Sequence, residues 1–290
     1  YKQPEAKAAR QMSLAAQDRT SLRDAVLAEA ARRVLLMGIL NVTPDSFSDG
    51  GRFDDPASAL TQAGTLLAEG ADILDVGGES TRPGAAPVSA EDEMARVLSV
   101  IPALCEDPAR IVSIDTYKAS VAHAAAEAGA VIINDVWGMT RDAAMAEAVA
   151  ATSSAVVVTY NRGKADAAIN LVDDMRAFFD RAFAMAAEAG IPRAHVILDP
   201  GVGFGKTYEQ NFGVLARLDV LADYGVPVLV GVSRKSFIGR LLDREVDDRL
   251  AGTLAAGLAS VQRGASILRV HDVAAHADAL KMRKAIEEAG

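Results

Sequence analysis

The sequence predicts an α/β fold, a single (β/α)8 barrel. Three observations carry this: short apolar runs recur eight times after residue 33, stretches of helical period separate them, and each run ends on or near a polar residue. Short runs rich in Val, Ile and Leu read as strands buried on both faces, and parallel strands need helical crossovers between them. Eight such units in one domain fit a closed barrel, also called a TIM barrel; an open doubly wound sheet is the runner-up.

The elements follow in order. The strands are "VLLMGIL" (34–40), "ADILDV" (71–76), "IVSI" (111–114), "AVII" (130–133), "SAVVV" (154–158), "HVIL" (195–198), "PVLVGV" (227–232) and "ASILRV" (265–270). Between and after them, helical period marks "PASALTQAGTLLAEG" (56–70), "SAEDEMARVLSVIPALC" (89–105), "KASVAHAAAEAG" (118–129), "MRAFFDRAFAMAAEAG" (175–190) and "AAHADALKMRKAIEEAG" (274–290). Several close on Gly, which a helix C-cap favours. Residues 1–33 read as an Ala-rich helical extension and residues 34–290 as the barrel domain, without repeat or linker to divide it. The chain opens on Tyr1, so a native start is expected upstream.

Half of the 290 residues are hydrophobic but only 5% are aromatic, so the core is built from Ala, Val, Leu and Ile. A net charge of −9 argues against a nucleic-acid surface, which needs clustered Lys and Arg. Any anion must therefore meet local positive charge. Cys105 is the only cysteine, which excludes an intrachain disulfide and suits a reducing compartment, the cytoplasm. No apolar run approaches the ~18 residues of a membrane span, and no signal-peptide core or acid-poor leader opens the chain.

The strand ends carry the functional signal. Asn41, the segment 75–82, Asp115, Asn134 with Asp135, Thr159 with Asn161, Asp199, Lys235, and Arg269 with His271 all lie at or just beyond a strand's C-terminal end. In a barrel those ends share one mouth, where active sites lie. Any single one of these residues is explained by a buried strand reaching the surface; the whole set, with carboxylates, amides and cations converging, is not.

Other motifs fail their tests. "GVGFGKT" (201–207) lacks the four-residue spacing of a phosphate loop and also misses the dinucleotide pattern, leaving glycines that let Phe204 lie close to a flat ligand. The four histidines form no metal cluster, since His271 and His276 are five apart and His123 and His195 read as structural. Strand alternation puts Arg269 and His271 on one side, an arrangement suited to an anion. "SRKSFIG" and "GGESTRPGA" are polar, Gly-containing strand-end loops, and the latter is a candidate lid.

With these segments in view, the sequence resembles the dihydropteroate synthase family from roughly residue 34 to the end. The resemblance rests on "GILNVTPDSFSDGG", "GADILDVGGESTRPGA", "SIDT", "NDVWG", "ILDPGVGFGKT", "GVSRKSFIG" and "RVHDV" in order. It implies that 6-hydroxymethyl-7,8-dihydropterin diphosphate is joined to p-aminobenzoate by dissociative C–O cleavage, giving 7,8-dihydropteroate and pyrophosphate. Asp199 would pair with the guanidine-like pterin edge, Asn134 and Asp115 would face ring nitrogens, and Lys235 would donate to the ring carbonyl and N5. Arg269 would lie over the pterin face, and Asp115 would support the developing positive charge. Asn41, Thr81, Arg82, Arg269 and His271 would hold the diphosphate, with Asn41 also touching Mg2+, and Phe47, Pro83, Phe204 and Ser236 would form the p-aminobenzoate pocket.

Asp115, Lys235, Arg269 and His271 are the catalytic candidates. Sulfonamides, mimics of p-aminobenzoate, are expected inhibitors, and a homodimer through helices near the C-terminus is expected. One departure stands out: where the family commonly has Met-His after the fifth strand, this chain has Thr159-Tyr160. A methyltetrahydrofolate-type pterin methyltransferase is the alternative enzyme, and a pterin-binding paralogue with impaired catalysis the non-enzyme alternative.

Overall fold

The computed structural model describes residues 19–43, 56–80 and 86–289. A helix over residues 19–30 (α1) precedes β1 (Leu35–Asn41), α2 (Pro56–Ala68), β2 (Ile73–Gly77), α3 (Ala90–Leu98), α4 (Ile101–Leu104) and β3 (Ile111–Asp115). Then come α5 (Ala119–Glu127), β4 (Ile132–Asp135), α6 (Met145–Thr152), β5 (Ala155–Thr159), α7 (Leu171–Glu188) and β6 (Val196–Asp199). The chain ends with α8 (Tyr208–Ala216), β7 (Leu229–Val230), α9 (Ser236–Leu242), α10 (Leu250–Gln262), β8 (Ile267–Val270) and α11 (Val273–Glu287). All eight strands are parallel in the order β6-β5-β4-β3-β2-β1-β8-β7, and a single bridge from Leu198 to Val228 joins the two edges. This is the expected barrel.

Two expectations need correction. The stretch 89–105 is two helices rather than one: Ser99 turns its hydroxyl back onto the Arg96 carbonyl, and Pro102, with no N–H to donate, sits in the first turn of a new helix. The seventh strand is two residues long rather than six, because Pro227 cannot donate to the ladder and the chain leaves the sheet at Gly231. β1 and β3 to β6 run one or two residues further toward the mouth than the apolar runs and end on polar residues, β2 extends by Gly77 alone, and β8 ends with its run at Val270. α7 begins at Leu171, capped by Asn170, which accepts from the Asp173 N–H.

Alternation along the strands sorts their side chains into two cores. Leu36, Leu40, Leu74, Val76, Val112, Ile114, Ile133, Val156, Val158, Leu198 and Leu268 point outward and pack against the helices. Leu35, Met37, Ile73, Ile132, Ala155, Val157, Ile197, Leu229 and Ile267 fill the N-terminal half of the barrel interior. Val26 and Ala30 of α1 complete that inner cluster, so the helical extension closes the barrel's N-terminal end. Arg19 and Arg23 fix it there, donating to the carbonyls of Ala126 and Ser153 at the C-terminal ends of α5 and α6, where helix dipoles favour cations.

Candidate active site

The same alternation that fills the inner core with Met37, Ile132, Val157 and Ile197 carries Asn41, Asp75, Asp115, Asn134, Thr159, Asp199 and Arg269 inward at the other end. Pairing sets them side by side: Asn41 opposite Gly77, Gly77 opposite Asp115, Asp115 opposite Asn134, and Thr159 opposite Asp199. Two glycines at the strand ends lie within ordinary contact of these groups. A Cβ on Gly77 would lie 3.6 Å from Asn41 Oδ1 and 3.7 Å from Asp115 Cβ, and one on Gly231 would lie 3.8 Å from Arg269 Cβ and 3.9 Å from Lys235 Nζ.

An ion-pair network spans the mouth. Arg269 Nε donates to Asp75 Oδ2 at 2.6 Å and Nη2 to Asp115 Oδ2 at 2.5 Å, while Asn134 Nδ2 donates to Asp75 Oδ2 at 2.9 Å. Asp75 Oδ1 and Asp115 Oδ1 are buried with no hydrogen-bond partner among the described residues. A native fold rarely strands carboxylate oxygens, and both belong to inward-facing residues of neighbouring strands. Burial raises the Asp115 carboxyl above its ordinary value, against the opposing charge of Arg269 and with the help of Asp75. Asp75 falls in the strand-end segment 75–82 but received no role from the sequence; its parity with Asp115 across β2 and β3 was the available signal.

Asp199 accepts the Gly201 N–H at 2.7 Å through Oδ1 alone. Burial raises its carboxyl while Lys235 opposes the rise. Lys235 donates to the Val202 carbonyl, lies 4.8 Å from the centre of the Phe204 ring, and is lowered to about 8, chiefly by burial and against the pull of Asp199. Arg234 takes a positive φ of 57°, which turns it away onto Asp272 and leaves Lys235 facing the mouth. His271 accepts or donates through Nδ1 to Ser233 Oγ at 2.9 Å. Ser236 opens α9 and is exposed.

A second lysine was missed. Lys206, in "GVGFGKT", donates to the carbonyls of Tyr160, Gly201 and Phe204 at 2.8, 2.7 and 3.1 Å, and burial lowers it to about 7. It knits the loop carrying Phe204 to the end of β5. Gly201 is required there, since φ is 66° and a Cβ would lie 2.1 Å from the Tyr160 carbonyl oxygen. Thr207 then starts α8 with a capping box to Gln210. A lone Lys among glycines, whose loop carbonyls need donors, was the available signal.

Some strand-end polar groups serve the scaffold. Asp135 points outward and accepts the N–H groups of Trp137 and Met139, and Asn161 ties Val136 to Gly163. Lys118 bridges Glu79 and Glu93 at the root of the "GGESTRPGA" loop. Thr159 and Tyr160 divide in the same way: Thr159 faces the mouth, while Tyr160 points outward onto Phe178 of α7 and donates to Asp174. Phe47, Thr81, Arg82 and Pro83 lie outside the described residues. Among the described residues, no three His, Cys, Asp or Glu side chains are grouped to hold a metal, and no helix is long and apolar enough to cross a membrane.

Comparison with known proteins agrees with this geometry. A family described as pterin binding enzyme matches residues 37–271. The dihydropteroate synthase of Bacillus subtilis (strain 168) is 45% identical over 258 residues, covering 89% of this chain and 90% of that protein. A structure of Xanthomonas albilineans dihydropteroate synthase with 4-aminobenzoic acid superposes with a TM-score of 0.84 at 45% identity, covering 88% of this chain and 93% of that one. The Yersinia pestis dihydropteroate synthase in complex with a sulfonamide drug gives 0.83 at 40% identity, over 89% and 95%.

Proposed function

The chain belongs to the dihydropteroate synthase family, and we propose that it joins 6-hydroxymethyl-7,8-dihydropterin diphosphate to p-aminobenzoate, forming 7,8-dihydropteroate and pyrophosphate. The observation that carries this reading is the mouth itself, where Asp115, Asn134, Asp199 and Lys235 converge beside carboxylate oxygens that no described residue satisfies. A pterin supplies what they lack: a guanidine-like edge for Asp199, ring nitrogens for Asn134 and Asp115, and a carbonyl for Lys235. Being narrow and flat, it fits between inward-facing strand ends.

In the reaction, the bond from the pterin methylene carbon to the diphosphate oxygen breaks, and its electron pair leaves with pyrophosphate. The methylene carbon becomes cationic, conjugated to the ring, and Asp115 is placed to stabilise that charge. The arylamine nitrogen of p-aminobenzoate then bonds to this carbon and loses a proton. Arg269 rests on Asp75 and Asp115; its transfer to the ring face and diphosphate would free both carboxylates for the pterin. Asn41 and His271 take the diphosphate with Thr81 and Arg82, and Phe204 and Ser236 flank p-aminobenzoate with Phe47 and Pro83. Sulfonamides compete at that second subsite.

The donor set suits Mg2+ delivered with the diphosphate. Asn41 offers an amide oxygen, and Mg2+ keeps several waters and takes few protein ligands. When bound, the ion would neutralise charge on the leaving pyrophosphate. We also place the enzyme in the cytoplasm, on its single cysteine, and read it as a homodimer. Among the described residues, the exposed large hydrophobics are Leu241 and Leu242 on α9, Val246 between α9 and α10, Leu250 at the start of α10, and Met282 and Ile286 on α11. A monomer by light scattering would overturn the dimer.

Incubating the protein with pterin diphosphate, p-aminobenzoate and Mg2+ should release pyrophosphate and form dihydropteroate. No product, or methyl transfer to a corrinoid without added Mg2+, would overturn the reading.

A further inference from the structure

The residue that departs from the family pattern supplies the inference. Thr159 is fully buried and its Oγ1 has no hydrogen-bond partner among the described residues. Ser113 Oγ, inward on β3, is the other buried hydroxyl without a partner among the described residues. The other buried threonines, Thr116 and Thr253, each accept a backbone N–H, from Lys118 and Arg234. An unsatisfied buried hydroxyl destabilises the fold, and valine, of the same shape, would avoid that cost. The position also has a direction. Thr159 stands opposite Asp199 in the β5–β6 pairing, two residues beyond the inward Val157, so it shares the face from which Asp199 enters the mouth. Neighbouring parallel strands lie about 4.8 Å apart, within reach of one small ligand group.

We propose that the Thr159 hydroxyl is a pterin-recognition group specific to this chain, accepting the second N–H of the exocyclic amino group whose first N–H goes to Asp199. The inference rests on the pterin-binding function proposed above. A methionine there would offer the ring a polarizable apolar contact and only a weak acceptor. Thr159 exchanges that contact for a directed hydrogen bond, so the chain departs from its family without losing the pterin. Tyr160, the other departing residue, takes no part, because it faces α7.

The test is calorimetry of a phosphate-free pterin with wild type, Thr159→Val and Thr159→Ser. Wild type should bind. Thr159→Val should bind about 3- to 10-fold more weakly, as loss of one neutral hydrogen bond implies, while melting no lower than wild type because an unsatisfied group has been removed. Thr159→Ser, which keeps the hydroxyl and drops the methyl, should retain affinity. Wild-type affinity in Thr159→Val would overturn the inference and assign the hydroxyl to water. Equal losses in both variants would also overturn it, by assigning the effect to packing. A wild-type protein that binds no pterin would instead overturn the functional reading on which the inference stands.

Discussion

The two ends of the barrel interior are built from the same strands and could hardly differ more. At the N-terminal end, Leu35, Met37, Ala155, Leu229 and Ile267 meet Val26 and Ala30 of α1 in a closed apolar cluster. Two to six residues further along, the same faces present Asn41, Asp75, Asp115, Thr159 and Asp199, several of them buried and incompletely satisfied. One end buries apolar side chains against one another and against α1. The other holds Asp115 and Asp199, whose ionised forms burial disfavours, an arrangement that gains its full set of partners only from a ligand. The difference teaches where stability and function separate: damage at the closed end should destabilise the fold while the site keeps its chemistry, and damage at the open end should do the reverse.

The largest effect expected is at Asp199 and Lys235. Each supplies a charge-assisted bond to a flat ligand that makes few others, so Asp199→Asn or Lys235→Ala should lower pterin affinity by more than about 100-fold. Because burial makes the ionised Asp199 a cost to the folded state, Asp199→Asn should melt at or above the wild-type temperature. Calorimetry and thermal melting together check this; a variant that loses stability yet binds pterin normally would erase the contrast between the ends.

The mirror experiment is Leu35→Ala. Leu35 is 1% exposed and lies six residues before Asn41 on β1, roughly 20 Å away along the strand. Its truncation should cost about 2–5 kcal/mol in urea unfolding and leave pterin affinity unchanged. A comparable fall in affinity would mean that the closed end holds the geometry of the mouth.

The sequence made the open end far more legible than the closed one. The polar residues at or just beyond the ends of eight short strands, read as the mouth of a barrel, point to Asn41, Asp115, Asn134, Asp199, Lys235 and Arg269. What it could not sort was inward from outward among adjacent polar pairs. Asn134 and Asp135 look equivalent in "NDVWG", yet one faces the mouth and the other caps a turn. Asp75 and Lys206 escaped because each acts through partners distant in sequence, Arg269 and the Tyr160 carbonyl. The closed end left almost no trace, since an Ala-rich amphipathic helix carries no mark of what it covers. The split at Pro102 could have been read from the proline alone.

A finer division is expected within the open end. His271 and Asn41 are proposed to serve phosphates rather than the pterin ring. His271→Ala and Asn41→Ala should then lower turnover by about tenfold to a hundredfold, as loss of one charge-stabilising contact does, while phosphate-free pterin binds as in wild type. Weakened binding of the phosphate-free ligand in either variant would merge the two subsites.

The last expected effect tests whether burial at the mouth stabilises anything by itself. Lys206 sits among three backbone carbonyls, which favour its ammonium, and in an enclosed site, which disfavours it; burial wins and lowers it from its ordinary 10.5 to about 7. Between those two values the unfolded chain keeps a proton that the folded protein has released. Unfolding then takes up a proton, so this residue makes stability rise with pH across that window, by at most roughly 1.4 kcal/mol per pH unit. Lys206→Met removes the titration but leaves that of Lys235, whose contribution cancels in the comparison. Urea midpoints measured from about pH 7 to about pH 10 should therefore show wild type gaining on Lys206→Met as pH rises. Parallel curves would mean that the three carbonyls hold the ammonium at its ordinary value, making this corner of the mouth as well satisfied as the closed end.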